Sequence, residues 1–593
     1  MVKIGENNQR KRNIIFICLL ILSLIATVTK LFIGFDIDEA YAVVMPFRLL
    51  QQDRLFGDMW EVHQTSSFLP YLFIALFCRI TGGVTYLVLY LRIVATVIHL
   101  LMSLWVYRVL KPWVSRYGTL FLALVYYNFL PKWMINLDFS MQQLWFMTIS
   151  LIFLFYGLRK CGKGWYFLCG IALAFAVLAY PGMVLLYPVY LVIVWKKEKN
   201  KSGINNCLLI TAGCAITAVI FFACVLSHMS PGDLLQSIPM VFSDGSHQFT
   251  FATKFSLYAR QWLEVLVQSM ILVIPSMALT FLYSRVTKTK MSLIAFCMLF
   301  TYISSGIVVV ANLIGLGWGP FRLQVRYLIF FVLAFLLYTG LKKKKSEHMA
   351  ERNGWIFRLL LLPSLGMFAG ILLASNVGPV SSASYLVLAD MAFLMLYFEA
   401  VQAEQEEKGE TVTERKGVWG FLKGFGIYRG AAVLFLVSLL LCKGYYVRVT
   451  EYEPSNLLES RVPIEEGAAK GIWVSPQDNE RISDNYDTIL HTVKEGQSVL
   501  FMGTESLNNL TAYEAGAEFV SPTTISTPAF NEQWTTYFEQ HSDKQPDVIF
   551  IAKNTIDNRE KFFSKNDFGQ WIAARYDVEH MEETEYLCIL HKK

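Results

Sequence analysis

The sequence predicts a polytopic α-helical membrane protein of about thirteen transmembrane helices, followed by a soluble α/β domain. Three observations lead to this fold class. Hydrophobic residues make up 55% of the 593 residues and charged residues only 17%, and the mean hydropathy is +0.43. Apolar stretches long enough to span a bilayer recur up to residue 446, whereas residues 447–593 are polar with short apolar runs. This composition excludes a soluble enzyme with one core, and a dispersed net charge of +6 is not that of a nucleic-acid-binding surface.

The membrane domain, residues 1–446, begins with a retained first helix, because no small-residue cleavage site follows its first apolar run. Later spans are placed wherever about 20 apolar residues follow one another. Two of the stretches, 118–131 and 182–195, are short and are interpreted as tilted or half-length helices. The predicted spans are 13–34, 84–106, 118–131, 139–157, 164–180, 182–195, 205–227, 261–283, 291–313, 324–341, 355–374, 383–401 and 428–446.

The distribution of lysine and arginine predicts the topology, because short cytoplasmic loops collect these residues. Basic clusters such as Lys196 to Lys201 and Lys342 to Lys345 fall on the side of the N-terminus, which is therefore cytoplasmic. The apolar segment 68–82 is too short for a full span and would invert every later helix, so it is predicted to lie at the outer face. Residues 447–593 are then extracytoplasmic.

The C-terminal domain has the pattern of a small α/β fold. Short apolar runs at 498–502, 547–551 and 586–590 predict strands, and amphipathic segments at 481–495 and 556–574 predict helices. The ten cysteines include only one, Cys588, in this polar region, so no internal disulfide is expected there.

Charged residues concentrate in the first outer loop, residues 35–83, where they are costly to hold at a membrane edge unless they are used. Asp38 and Glu39 follow the first span directly and precede a helical Ala-Tyr-Ala-Val-Val pattern. They could simply cap that helix. The surrounding acidic and basic residues, which include Asp36 and Asp58, favour a substrate site instead.

The order of motifs resembles the GT-C superfamily of membrane glycosyltransferases. The motifs are an acidic pair after the first span, the stretch Gly57 to Gln64, and Leu91-Arg92 near the start of the next span. The protein O-mannosyltransferase and aminoarabinose transferase branch, with the dolichyl-phosphate-mannose-type enzymes, is the most similar. Asp38-Glu39, His63 and Asp138 match its acidic pair, loop element and later aspartate, although Gln64 and Thr65 replace its prolines. Arg326-Tyr327 resembles an Arg-Tyr element of that branch.

This resemblance implies an inverting transferase that takes a sugar from a polyprenyl-phosphate donor and gives it to a cell-envelope glycan, lipid or protein on the outer face. Such a reaction needs a base for the acceptor hydroxyl and cations for the departing phosphate. Asp38 is the predicted base. Glu39 could raise the proton affinity of the pair, hold a cationic side chain or bind a metal.

Phosphate-binding cations must lie at the outer face, where few are available. Arg322 and Arg326 are four residues apart at the mouth of a helix, and an arginine fork suits phosphate oxygens. Snorkelling to lipid headgroups is the alternative, and it is the favoured interpretation of Lys132. His99 is interpreted as a packing residue, Glu399 as solvated and Asp390 as a weaker pathway candidate.

The sequence favours no metal and no cofactor. Asp36-Ile-Asp38 is the only DxD pattern, and it would suit a nucleotide sugar, which is a cytoplasmic donor. The alternative function is a polytopic transporter or lipid flippase, but charges at one face and the lack of similar halves are not typical of transporters. A scaffold without activity is a third hypothesis.

Overall fold

A computed structural model describes most of the chain. The described residues are 2–198, 201–242, 251–288, 290–314, 324–342, 347–374, 378–407, 427–445, 447–448, 454–455, 460–525, 531–556 and 558–593. The described residues up to Tyr445 are mostly helical, and strands of two or more residues begin at Val447.

Eighteen α-helices make up the described membrane domain. They are α1 Val2–Phe32, α2 Ala40–Arg48, α3 Phe68–Thr81, α4 Leu87–Leu110, α5 Arg116–Asn128, α6 Phe139–Leu158, α7 Gly164–Ala179, α8 Leu186–Glu198, α9 Lys201–Leu226, α10 Pro231–Phe242, α11 Phe251–Thr287, α12 Leu293–Leu313, α13 Val325–Lys342, α14 Glu347–Ile356, α15 Leu362–Ala374, α16 Gly378–Ser382, α17 Val387–Glu407 and α18 Ile427–Tyr445.

Every one of the thirteen apolar stretches falls on a helix, but fewer helices have the length of a span. Among the described residues eight helices are long and apolar enough to cross a membrane, or nine if the bent pair Gly378–Tyr385 and Val387–Glu404 counts as one span. Helix α5 has 13 residues and is about 20 Å long, against a hydrocarbon core of about 30 Å. The stretch 182–195 begins in a 3₁₀ turn at Pro181, which shortens the following helix α8.

Helix α3 occupies the segment that the sequence assigns to the outer face. Leu72, Leu76 and Ile80, each four residues from the next, are at least half exposed, whereas Pro70 and Ile74 are buried. One face of the helix is therefore apolar and uncovered, which suits contact with lipid. Its position relative to a bilayer stays a prediction.

The C-terminal domain contains a five-stranded mixed sheet. Strands β5 Ser498–Met502, β7 Val548–Ala552 and β9 Leu587–His591 match the three predicted strands within one residue. The sheet order is β6-β5-β7-β9-β8; β5 pairs in parallel with β6 and β7, and β9 pairs antiparallel with β7 and β8. The remaining strands are β1 Val447–Arg448, β2 Pro454–Ser455, β3 Val462–Pro463, β4 Trp473–Val474, β6 Glu518–Phe519 and β8 Glu582–Glu583.

Five helices accompany this sheet, and both predicted amphipathic segments are helical. They are α19 Pro476–Thr492, α20 Asn508–Glu514, α21 Asn531–Gln540, α22 Arg559–Lys565 and α23 Asp567–Arg575. Ser475 caps α19 through a hydrogen bond from the amide of Asp478, and the buried residues Asn485 and Ile489 lie on one face of that helix.

The C-terminal domain packs on the end of the helix bundle that carries the first outer loop. The amide of Gly34, just after α1, donates to the carbonyl of Trp473 at 2.8 Å. At the start of α4, the amide of Val88 donates to the carbonyl of Ala468 at 3.0 Å. In the loop between α2 and α3, the amide of Trp60 donates to the carbonyl of Pro522 at 2.8 Å. The acidic loop therefore lies between the two parts of the chain.

Candidate active site

The turn after α1 sets the direction of the acidic residues. Gly34 has a φ of 70°, a conformation that glycine adopts at little cost, and it turns the chain out of the helix. Asp36 then caps the 3₁₀ turn Ile37–Glu39, its Oδ1 accepting from the amide of Asp38 at 2.9 Å. The expected helix cap is thus Asp36 and not Asp38 or Glu39, and the two later carboxylates point to other partners.

Glu39 forms a buried two-pronged ion pair with Arg92. Nε and Nη2 of Arg92 donate to the two carboxylate oxygens, each at 2.7 Å. The guanidinium also donates to the carbonyls of Leu31 and Gly34 at 3.0 and 2.6 Å. The side chains are only 3% and 5% exposed. Of the roles open to Glu39, holding a cationic side chain is the one found here, and it ties the turn to α4.

Asp38 pairs with Lys132, which the sequence had favoured as a lipid-facing residue. Nζ of Lys132 lies 2.8 Å from Oδ2 of Asp38. This pair is more open than its neighbour, with 14% of the Asp38 side chain and 21% of the Lys132 side chain exposed. Lys132 and Trp133 both have positive φ, 53° and 60°. Such strained backbone persists where surrounding contacts hold it, and it is common at functional sites.

Asp138 lies six residues after Lys132 in the chain and caps the N-terminus of α6. Its Oδ1 accepts from the amide of Met141 at 2.9 Å and its Oδ2 from the hydroxyl of Ser140 at 2.6 Å. Burial raises the pKa of Asp138, and the charge of Lys132 and the hydrogen bond from Ser140 partly oppose that shift. Lys132 therefore interacts with two carboxylates, with Asp38 through an ion pair and with Asp138 electrostatically.

Aromatic rings border this group. The His63 ring stacks on Phe139 with 3.5 Å between centroids and lies 5.9 Å from Tyr180. Tyr41 meets His63 edge-on at 5.4 Å. Nζ of Lys132 lies 4.1 Å from the Phe139 ring centroid, a cation–π contact. The predicted residue His63 is thus brought close to the Asp38–Lys132 pair.

The C-terminal domain contributes an apolar contact to the same turn. Ile525, in the segment after β6, forms a small buried cluster with Ile37 and Ala40. These two residues flank Asp38 and Glu39 in the chain. The position of the acidic pair therefore depends on both parts of the protein.

Asp58 lies later in the same loop and forms an ion pair with Arg54. Nε and Nη2 of Arg54 donate to its two oxygens at 2.8 and 3.0 Å. Burial alone would raise the pKa of Asp58, but the hydrogen bonds and charge of Arg54 outweigh it and hold the pKa below its ordinary value. The carbonyl of Asp58 accepts from Arg48 and from the hydroxyl of Tyr537 at 2.7 and 3.0 Å. This part of the loop fastens the C-terminal domain.

Arg326 is buried inside the bundle, where the sequence had predicted an open helix mouth. Its guanidinium donates to the hydroxyls of Ser438 and Tyr327 at 3.1 and 3.0 Å, and among the described residues it forms no ion pair. Asp390 on α17 interacts with it electrostatically. Arg322 lies outside the described residues, so the predicted arginine fork is not described.

Two lysines that the sequence analysis did not select lie at this end of the bundle. Lys443 is fully buried, and its Nζ contacts the hydroxyl of Thr27 at 2.9 Å and Oδ1 of Asn128 at 3.3 Å. Within the described chain no carboxylate pairs with Lys443. Lys30 lines a cavity of about 20 Å³ together with Asp36 and other residues of the turn. The sequence predicts that this end of the bundle is the outer one. Lysines near span ends there run against the positive-inside rule, and that signal could have found them.

In the described part of the chain, no three His, Cys, Asp or Glu residues are grouped so that they could hold a metal ion. Asp36 and Asp38, the predicted DxD pair, are engaged by the amide of Asp38 and by Lys132.

No protein-family model and no curated protein matches the chain. Among solved structures, the chain is similar to the archaeal oligosaccharyltransferase AglB from Archaeoglobus fulgidus, in complex with an inhibitory peptide and a dolichol-phosphate. The identity is 12%, the match covers 92% of this chain and 70% of that one, and the TM-score is 0.47.

A second similar structure is ArnT from Cupriavidus metallidurans. Bound to undecaprenyl phosphate it is 11% identical, with 97% of both chains covered and a TM-score of 0.45; in the apo state the values are 10%, 98% and 0.44. These structural neighbours are GT-C glycosyltransferases.

Proposed function

We propose that this protein is a membrane glycosyltransferase that moves a sugar from a polyprenyl-phosphate donor to a cell-envelope acceptor at the outer face. The observation that carries the proposal is the partly exposed Asp38–Lys132 pair, which stands at the end of the bundle that also holds buried cations. Asp36, Asp138, His63 and the Arg326-Tyr327 pair are proposed as residues that bind or position the substrates.

The proposed chemistry is a single displacement. The acceptor hydroxyl attacks the anomeric carbon, the bond from that carbon to the phosphate oxygen breaks, and polyprenyl phosphate leaves with the electron pair. Asp38 orients the hydroxyl and takes its proton. Nζ of Lys132 contacts the Asp38 carboxylate at 2.8 Å and holds it in place. The stacked rings of His63, Phe139 and Tyr180 form an aromatic wall beside this pair.

The buried cations supply the other half of the reaction, which is the binding of a phosphate. Arg326 and Lys443 donate hydrogen bonds only to neutral groups among the described residues, and Asp390 acts on Arg326 without an ion pair. A buried basic side chain without an ion-pair partner is costly, and a lipid phosphate at this end of the bundle would offset that cost. Lys30 lines the small cavity together with Asp36, so it is proposed to link the acidic turn with the buried basic residues.

The outer location is part of the proposal and rests on the distribution of basic residues. The N-terminus is then cytoplasmic, and the C-terminal domain is extracytoplasmic, above the acidic loop. Polyprenyl-linked sugars are the expected donors at that face, because nucleotide sugars are cytoplasmic.

A donor-cleavage assay tests the proposal. The purified protein is reconstituted in liposomes with a polyprenyl-phosphate-linked hexose and a cell-envelope extract, and free polyprenyl phosphate is measured. We expect its release to depend on both the protein and the extract. Movement of intact donor across the bilayer without bond cleavage would instead establish a flippase, and transfer only from a nucleotide sugar would contradict the choice of donor.

A further inference from the structure

A second cavity lies at the far end of the helix bundle from the C-terminal domain. It measures about 100 Å³ and is partly open, and its walls are apolar side chains of α4, α6, α17 and the segment around residue 356. Helix α4 contacts the C-terminal domain at Val88 and reaches the cavity at Val109 and Leu110, about 30 Å further on at 1.5 Å per residue. The cavity is therefore separate from the acidic loop.

The cavity has room for hydrocarbon and little reason to hold water. An engineered apolar cavity of about 150 Å³ stays dry and takes up benzene. A segment of an acyl chain is of similar width and can enter from the open side. The residues nearest to its mouth decide which lipid would do so.

An unusual stretch of backbone forms part of the wall. Phe357–Leu361 is π-helical, and Leu359 and Leu360 within it line the cavity. Single π-helical turns inside α-helices are rare and frequently occur at functional sites. The wider turn lies between α14 and α15 and contains Arg358, which lies 5.2 Å from the ring of the wall residue Trp355.

Three cations surround two tryptophans at the mouth. The ring centroids of Trp113 and Trp355 are 5.9 Å apart, and both rings line the cavity. Arg159 lies 5.2 Å from the Trp113 ring, and Lys197 and Arg358 each lie 5.2 Å from the Trp355 ring. Within the described chain none of the three cations forms an ion pair with a carboxylate.

Two acidic residues lie near this mouth. Glu351 is exposed and interacts electrostatically with Arg358, but the two form no ion pair among the described residues. Glu399, which the sequence had placed in solvent, is buried and paired with Arg352, a residue of the cavity wall. The helical segment from Glu347 to Leu361 packs across α17 and covers it. The mouth thus keeps a surplus of positive charge beside an apolar chamber.

We propose that this cavity binds an anionic phospholipid of the bilayer. One acyl chain enters the apolar chamber, and the phosphate is held between Arg159, Lys197 and Arg358. Basic pockets between spans near a membrane surface favour anionic headgroups, and tryptophan is enriched at the same depth. The site takes no part in the proposed sugar transfer and does not depend on it.

Lipid retention tests the site on the full-length protein. The protein is stripped of lipid in detergent and titrated with phosphatidylglycerol or phosphatidylcholine, and bound lipids are counted by native mass spectrometry. We expect one phosphatidylglycerol to be retained more tightly than the others, at least fivefold over phosphatidylcholine, about the effect of one cation near an anionic lipid. Equal retention of the two lipids would overturn the proposal.

Two variants locate the bound lipid. Arg159→Gln with Arg358→Gln removes two of the cations and should weaken phosphatidylglycerol retention about 25-fold, about fivefold for each. Met391→Trp fills the chamber from α17 and should displace the acyl chain. Arg285→Gln is the matched control, because Arg285 also lies over an aromatic ring, 4.9 Å from Phe281, but does not line the cavity.

The outcomes are separable from misfolding. Arg159→Lys with Arg358→Lys keeps the charges and should retain the lipid. Size-exclusion profiles should match for all variants. Retention unchanged in both the charge variant and Met391→Trp would show that the lipid binds elsewhere, and weakening by Arg285→Gln to the same degree would show a nonspecific charge effect.

Discussion

Two neighbouring carboxylates at the end of the first helix have opposite surroundings. Glu39 is saturated by a two-pronged bond to Arg92, and the pair is almost inaccessible. Asp38 pairs with Lys132 at 2.8 Å, and both of these side chains are partly exposed. Adjacent acidic residues in a sequence can therefore have different surroundings: Glu39 fixes the turn to α4, and Asp38 stays partly accessible.

The largest expected effect is that of Asp38→Asn on sugar transfer. Loss of a base lowers the rate about a hundredfold to ten-thousandfold. Because the pair with Lys132 is largely but not fully buried, stability should fall by about 1–3 kcal/mol, between the effects of an exposed and a buried pair. Turnover in liposomes measures the loss of rate, and the thermal midpoint measures the loss of stability. Asp487→Asn, at an exposed aspartate, is the control; normal turnover of Asp38→Asn would remove Asp38 from the mechanism.

Glu39→Gln should act on folding instead. It leaves the Arg92 guanidinium buried without its anion, which costs about 3–5 kcal/mol. We expect a strong drop in the amount of folded protein in membranes. The double variant Glu39→Gln with Arg92→Met removes the charge as well and should recover part of the loss. A well-folded Glu39→Gln protein with low turnover would instead assign Glu39 to catalysis.

Arg326 is an intermediate case, because it is buried but contacts only neutral groups. If it binds the donor phosphate, Arg326→Lys should raise the apparent KM for the lipid donor about tenfold, the effect of a lost charge-assisted hydrogen bond. Initial rates over a range of donor concentrations measure this. Arg285→Lys at the other end of the bundle is the control. An unchanged KM with a lowered thermal midpoint would make Arg326 a structural residue.

The smallest effect belongs to Asp58, whose partner Arg54 is 47% exposed. The pKa of Asp58 in the folded protein lies below its ordinary value. Its contribution to stability is therefore present above about pH 4 and is lost as the pH falls through the folded pKa. The difference in thermal midpoint between the wild type and Asp58→Asn should shrink between pH 6 and pH 3. A difference independent of pH would show that the carboxylate charge is not what matters.

Secondary-structure elements could be predicted from the sequence more accurately than contacts between side chains. Strands such as Ser498–Met502 match because a buried apolar run bounded by turns has few alternatives. The Arg54–Asp58 pair could have been anticipated from its spacing. The partner of Asp38 could not, because Lys132 is 94 residues away and only the folded chain brings the two together.

The number of membrane spans could not be predicted from the sequence either. Hydropathy identifies apolar stretches, but it does not measure how far a helix continues before a proline or a turn ends it. Helix α5 and the helix after Pro181 are apolar enough and too short. Burial of Arg326 is another case, since residues near the start of a span can point inward or outward with the same sequence pattern.

The hydrogen bond from Gly34 to Trp473 has a consequence for biosynthesis. The turn that aims Asp38 is closed by a residue made long after it, and the Ile37–Ile525 contact comes later still. During translation the first helices insert before either partner exists, and contacts so distant in sequence form slowly. A nascent or truncated chain therefore carries the acidic turn without the contacts that hold it in the full-length protein.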